Sequence, residues 1–238
     1  MENPNKWKVR STVIVSVVIL VDHITKFIVL NTMELGQSIP LLGDWLKFTF
    51  TENPGMAFGI RFGPPAMITI FSILATFLIV LYLFKIGSIY GPYRASLSFV
   101  LGGALGNIID RVFFGKLIYG DPYFLGKVVD FIHINVWKGY VPDGIPFIGG
   151  NYMALFPIWN VADMSIVLGV VGIIIFQKRF HEITIETENT LLAVPAALEE
   201  AQVGPITDTA TDTSGTELPS QSGSDTYDSR KQMSIRAL

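Results

Sequence analysis

The sequence predicts an all-α membrane protein: four transmembrane helices, a small extracytoplasmic β-sheet and a disordered C-terminal tail. Three observations carry that expectation. Half of the 238 residues are hydrophobic, only 16% are charged, and the mean hydropathy of +0.47 is high for a soluble domain. Four apolar runs are each about 20 residues long, the length that a bilayer core requires. Lysine and arginine then flank those runs on one side: Lys6, Lys8 and Arg10, next Lys85 and Arg94, next Lys178 and Arg179. The positive-inside rule makes that side cytoplasmic, places both termini there, and puts the two longer connections outside.

Composition removes several function classes. The net charge of −3 carries little information, because the acids are concentrated in the last third of the chain. No basic patch with interleaved aromatics supports nucleic-acid binding. With no cysteine, the chain has no disulfide, no thiol nucleophile and no thiolate metal site.

The first span, about residues 11–30, follows the basic head MENPNKWKVR. No small-residue cleavage site follows it, so it reads as a retained helix and not as a removed leader. It carries Asp22 and Lys26, four apart with the acid first, on one helical face. On spacing alone these form either a structural ion pair or part of a site. Residues 31–65 are not membrane-like. Leu46, Phe48 and Phe50 alternate with Lys47, Thr49 and Thr51 in a half-buried strand pattern, and Asn53-Pro54-Gly55 forces a turn. Such a segment either connects two helices or offers backbone groups to an extended peptide at the membrane surface.

The second span, 66–86, has no charge before Lys85 and reads as scaffold. The third, 95–114, brings Gly102, Gly103 and Gly106, which allow a neighbouring helix close, and then Asn107, Asp110 and Arg111 in its last turns. Residues 115–154 form a long connection in which VVDFIHINV has strand composition and carries Asp130 and His133. The fourth span, 156–177, starts with Pro157 in its first turn and places Asn160 and Asp163 on one face. The expected domain covers residues 1–183. Residues 184–238, rich in Thr, Ser, Glu, Asp and Gly, read as a disordered cytoplasmic tail.

With four spans, the unusual polar residues fall at one depth. Asp22 and Lys26 lie in the outer half of the first helix, Asn107, Asp110 and Arg111 at the outer end of the third, and Asn160 and Asp163 at the outer start of the fourth. Asn53 and Asp130 belong to the outer loops. Polar groups at membrane depth mark functional sites or structural ion pairs. Asp22 has Lys26, and Asp110 has a neighbouring Arg111 that does not face it at i, i+1. Asp163 has no cation among its helical neighbours, and Asp130 lies in an apolar run, so both are candidates for carboxyls with raised pKa. Two such groups sharing a proton make an aspartic-protease-type dyad. On residues alone Asp163 leads and Asp130 follows. His23, His133 and His181 have no metal-ligand spacing, and a Ser–Lys dyad would have only Lys26 and Ser165 to draw on. The competing class is a transporter or proton relay using buried carboxylates, but no repeat of helices is visible and the polar groups lie off the midplane.

Five blocks, in order, then resemble one family: D-x-x-x-K at Asp22 and Lys26, N-P-G-M-A-F at Asn53–Phe58, G-G-A-L-G-N-I-I-D-R at Gly102–Arg111, V-V-D-F-I at Val128–Ile132 and W-N-V-A-D at Trp159–Asp163. The chain resembles bacterial lipoprotein signal peptidase (signal peptidase II), an intramembrane aspartic protease, over about residues 8–180. The resemblance implies four membrane helices, a small extracytoplasmic sheet and a surface helix, in a multi-pass protein of the bacterial inner membrane. It implies cleavage of prolipoproteins on the amino side of the diacylglyceryl-cysteine, with membrane lipid as the other partner, no metal or cofactor, and a monomeric enzyme. The catalytic pair falls on Asp130 and Asp163. Supporting residues fall on Asp22, Lys26, Asn53, Gly55, Ala57, Asn107, Asp110, Arg111 and Asn160. Trp159 stands where the family usually has phenylalanine, and the loops before Asp130 and before Phe156 are longer than usual.

Overall fold

The computed structural model describes residues 4–57, 60–61, 64–120, 122–146, 149–150, 152–154 and 156–202. Four of its helices are long and apolar enough to cross a membrane. Helix α1 spans Pro4–Thr32, α2 Pro65–Ile86, α3 Gly91–Ile109 and α4 Val161–Gln202. Their outward residues are large and apolar: Phe27 is 67% exposed, Phe71 61% and Ile175 64%. Such surface is stable against lipid and costly against water.

Strands β1 (Ser38–Leu42), β2 (Leu46–Asn53), β5 (Val128–Ile134) and β8 (Ile158–Trp159) form one antiparallel sheet in the order β1-β2-β5-β8. Strands β3 (Met56–Ala57) and β4 (Ile60–Arg61) pair in a second small sheet, and β6 (Lys138–Tyr140) and β7 (Tyr152–Ala154) in a third. The four-stranded sheet receives the chain from α1, sends it on towards α2, and feeds α4. It therefore sits at the end of the helices opposite Lys6, Lys85 and Lys178. Two apolar clusters fix the two ends. Trp7, Leu83, Ile86, Tyr93, Leu97 and Leu101 pack at the basic end. Val29, Phe50, Val129 and Phe131 pin the sheet onto α1 at the other.

Helix α3 is the centre of the bundle, and its glycines decide how close its neighbours come. A Cβ on Gly103 would lie 2.8 Å from Ile166 of α4, and one on Gly106 would lie 2.9 Å from an Asp22 carboxylate oxygen of α1. Only hydrogen at those positions lets both helices approach.

Three expectations about elements need correction. The third span does not end as plain α-helix, because residues Asp110–Tyr119 form a π-helix that stops at Gly120 in the left-handed region (φ 74°). π-Turns inside helices re-aim side chains and concentrate at functional sites. Pro157 does not begin α4: Ile158 and Trp159 pair with β5 first, and the helix starts at Val161. The fourth helix also continues to Gln202, through residues expected to be disordered from 184 on. Alanine, leucine and glutamate in that stretch favour helix over coil. The first compact unit ends at Ala193, and the expected tail beyond 202 lies outside the described residues. A separate surface helix is absent among the described residues.

Candidate active site

The site is assembled where α1, the end of α3, strand β5 and the start of α4 converge. Strand β5 carries Asp130, opposite Thr51 of β2. The β2–β5 register shifts between Phe48 and Thr51, next to Asp130. A bulge of this kind bends the strand and redirects a side chain. Asp130 is 2% exposed. Its carboxyl is pushed up to about 7, first by burial and then by the charge of Asp163, with hydrogen bonds from Asn53 and Asn160 pulling the other way.

Asn160 ties the two expected catalytic acids together. Its Nδ2 donates to Asp130 Oδ1 at 2.6 Å. Its backbone N–H donates to Asp163 Oδ2 at 3.3 Å, while its Oδ1 accepts from the Asp163 backbone N–H at 2.9 Å. These last two bonds are reciprocal and cap the start of α4, satisfying first-turn donors that would otherwise be unpaired. One residue therefore ends strand β8, begins the helix and spans from one acid to the other. Asn107 supports the second acid, with Nδ2 donating to Asp163 Oδ1 at 2.8 Å and Oδ1 accepting from Asn160 Nδ2 at 3.2 Å.

Behind this pair lies a second group of carboxylates with a different partner. Lys26 is fully buried and reaches Asp22 Oδ2 at 2.6 Å, Asp110 Oδ2 at 2.6 Å and Asn107 Oδ1 at 3.2 Å. The other Asp22 oxygen accepts from the Ala162 backbone N–H at 2.9 Å. Asp22 is thus joined to the first turn of α4 and to Lys26 at once, so the spacing that suggested an ion pair marks a junction of three helices. A charged pair in so dry a place needs its remaining polar capacity met, and Asn107 does this for Lys26 and the Ala162 N–H for Asp22.

The π-helix explains how consecutive residues serve both groups. Asp110 turns to Lys26, while the charge of Arg111 acts on Asp163 and Asp130 as well as on Asp110. The Arg111 carbonyl accepts from the Gly126 N–H at 2.9 Å, which fastens the incoming loop. At the β2 turn, Gly55 adopts φ 104°, and its N–H donates to Asn53 Oδ1 at 2.8 Å. That Asx-type turn holds Asn53 against Asp130. Ala57 lies in β3, two residues after Gly55.

Of the expected residues, Asp22, Lys26, Asn53, Asn107, Asp110, Asn160, Asp130 and Asp163 thus meet in one continuous network. His133 does not join it, bonding instead to Thr49 Oγ1 at 3.0 Å. Two contributors escaped the sequence reading. Ala162 contributes a backbone N–H, which no side-chain pattern reveals. His23, noted in the sequence only for lacking metal-ligand spacing, sits with Nε2 3.6 Å from Asp110 Oδ1 and its ring edge-on to Phe114. Its only signal was adjacency to Asp22.

Comparison with known proteins places the chain in a family. The family model described as signal peptidase (SPase) II matches residues 14–179. The chain belongs to the signal peptidase II family. Among its relatives, the lipoprotein signal peptidase of Amoebophilus asiaticus is 36% identical over 224 residues, covering 85% of this chain and 92% of that protein. That of Porphyromonas gingivalis is 31% identical over 203 residues, covering 77% and 89%. Two solved bacterial membrane enzyme structures also superimpose. The one determined in meso at 2.3 Å has a TM-score of 0.53 at 29% identity, covering 71% of this chain and 88% of its own. The one at 1.9 Å has a TM-score of 0.52 at 31% identity, covering 70% and 90%. The signal peptidase II family, with four helices apolar enough to span, makes this chain a multi-pass membrane protease.

Proposed function

We propose that this signal peptidase II is an aspartic endopeptidase that removes the signal peptide from prolipoproteins, cutting on the amino side of a diacylglyceryl-cysteine. The single observation that carries the aspartic reading is Asn160, which hydrogen-bonds the carboxyl groups of Asp130 and Asp163 through one side chain and one backbone N–H. Membership of the family supports the substrate class.

In the proposed reaction the pair shares one proton. The ionised carboxylate takes a proton from water, whose oxygen adds to the scissile carbonyl carbon. The protonated partner gives its proton to the carbonyl oxygen. Collapse of the tetrahedral species breaks the C–N bond: the aspartate that took the water proton gives it to the departing cysteine amine, and the former carbonyl hydroxyl returns its proton to the other aspartate. Which aspartate holds the starting proton is a property of the coupled pair. Asn53, Asn107 and Asn160 hold the carboxyls in place, and Arg111 adds positive potential beside them. The signal helix enters from the bilayer and the lipid chains lie between helices.

The orientation follows from charge. Lys6, Lys8, Arg10, Lys85, Arg94 and Lys178 lie at the end of the helices away from the sheet, which supports a cytoplasmic basic end and an extracytoplasmic site. The test is processing of a lipidated precursor by purified protein. Asp163→Asn is expected to insert and fold normally and to leave the precursor intact. Full processing by that variant overturns the assignment.

A further inference from the structure

At the basic end, remote from the aspartates, a cavity of about 350 Å³ opens between α1, α2 and α3. Its walls are apolar, with Val15, Val80 and Leu83 along its depth. Its volume is in the range of small-molecule sites. Three polar residues, Lys8, Ser11 and Thr12, break the apolar lining, and all come from α1. Lys8 lies at the mouth, with Nζ 5.9 Å from the ring centroids of both Trp7 and Phe84. Ser11 lies one turn deeper on the same face, since residues three apart are neighbours on a helix.

Ser11 is the telling residue. It is 4% exposed, and its Oγ has no hydrogen-bond partner among the described residues. A buried helical serine ordinarily bonds back to the carbonyl four residues earlier. Ser72, Ser96 and Ser98 each do so, at 2.8, 3.0 and 2.9 Å. Ser11 leaves that bond unmade and lines the cavity. A buried donor left without a partner is costly, so the site fits a ligand with acceptor oxygens. A cation at the mouth, a hydroxyl just inside and a greasy floor together match a molecule with an anionic head and a hydrocarbon body. Lys6 and Lys85 stand at the same end of the helices and add to the positive potential.

We infer that this cavity is a binding site for one anionic phospholipid, whose phosphate is held by Lys8 and the Ser11 hydroxyl and whose acyl chain lies along Val15, Val80 and Leu83. Basic pockets between membrane helices recognise anionic headgroups, and the bilayer presents them continuously at this depth. The assignment is independent of the peptidase reading, because it involves no residue of the aspartate network.

Native mass spectrometry of the full-length protein released from mixed micelles tests it. The protein is offered phosphatidylglycerol, phosphatidylcholine or inorganic phosphate, and thermal unfolding is followed in parallel. One phosphatidylglycerol is expected to be retained about tenfold over phosphatidylcholine, with a matching rise in Tm. Lys8→Gln is expected to lower that retention about fivefold, and Ser11→Ala several-fold. Val80→Trp, which fills the cavity, abolishes it, and Lys6→Gln, outside the cavity, leaves it within twofold. Inorganic phosphate alone leaves Tm unchanged. Equal retention of phosphatidylcholine overturns the inference, as does an equal loss in Lys6→Gln and Lys8→Gln. A Tm rise with inorganic phosphate alone would assign a simple anion site and overturn the lipid.

Discussion

Two groups of buried carboxylates lie at the sheet end of this bundle, joined through Asn107, and they are neutralised in opposite ways. Asp22 and Asp110 share a lysine at 2.6 Å each. Asp130 and Asp163 share asparagine amides, and no lysine or arginine is within ion-pair distance of either among the described residues. A cation beside a carboxylate fixes its charge, whereas an amide satisfies its lone pairs and leaves the proton free to come and go. The first group is therefore suited to hold helices together and the second to move protons. The same amino acid at the same depth takes either part, and only its partner decides which.

That contrast can be broken most sharply at the second group. Asp130→Asn and Asp163→Asn should each lower processing of a lipidated precursor at least about 10³-fold, since the proposed mechanism then loses a general acid or base from a two-residue unit. Unfolding temperatures at pH 7 should be unchanged or higher. The first group should answer in the reverse sense. Lys26→Met leaves two buried acids unmatched and should cost about 3–5 kcal/mol, read as lost yield of folded protein and a lower Tm. If Lys26→Met folds like wild type and merely slows cleavage, the division between the groups fails.

Asn107 belongs to both groups, and Asn107→Ala should affect both measurements. The lost bond to Asp163 and the lost contact to Lys26 should reduce processing by about 10²-fold and stability by about 1–3 kcal/mol. The pH dependence sharpens the comparison further. Asp130 titrates near 7 when folded, against about 3.9 in an unfolded chain. Between those values the folded protein keeps a proton that the unfolded chain releases, so this group lowers stability progressively as pH rises from about 4 to about 7. The Tm advantage of Asp130→Asn over wild type should therefore grow across that window and level off above it. The smallest effect should come from a charge pair outside both groups. Asp44, with its side chain 94% exposed, pairs with Lys47 at 2.9 Å. Asp44→Ala should leave Tm and processing unchanged, as exposed pairs of this kind contribute little.

The sequence made the spans readable because lipid demands unbroken apolar runs, and four such runs stand out over any background. The β2 and β5 strands were legible for a related reason: Leu46–Thr51 alternates, and VVDFI is β-branched and aromatic. The depth of the polar residues could be read from charge at the helix ends. The π-helix could not, since no local composition distinguishes Asp110–Tyr119 from an α-helical ending. It coincides with a loop that Gly126 ties to the Arg111 carbonyl, a contact between residues 15 apart in the chain. The short strand β8 hid for a similar reason. Pro157 signals a helix start, but pairing of Ile158 and Trp159 with β5 postpones it. The roles of Asn107, Asn160 and Ala162 depend on what lies across the bundle, and spacing along one helix carries no trace of it.

The order of these pieces along the polypeptide has a consequence for biogenesis. Asp130 emerges from the ribosome with the third span already made, but Asn160, Asp163 and the Ala162 amide that fastens Asp22 all arrive with the final span. A nascent chain halted after residue 150 holds one acid with neither its mate nor the bridge between them. On the proposed aspartic mechanism, hydrolytic competence is thus withheld until the last segment docks, so a half-inserted chain has no means of cutting the polypeptides passing beside it.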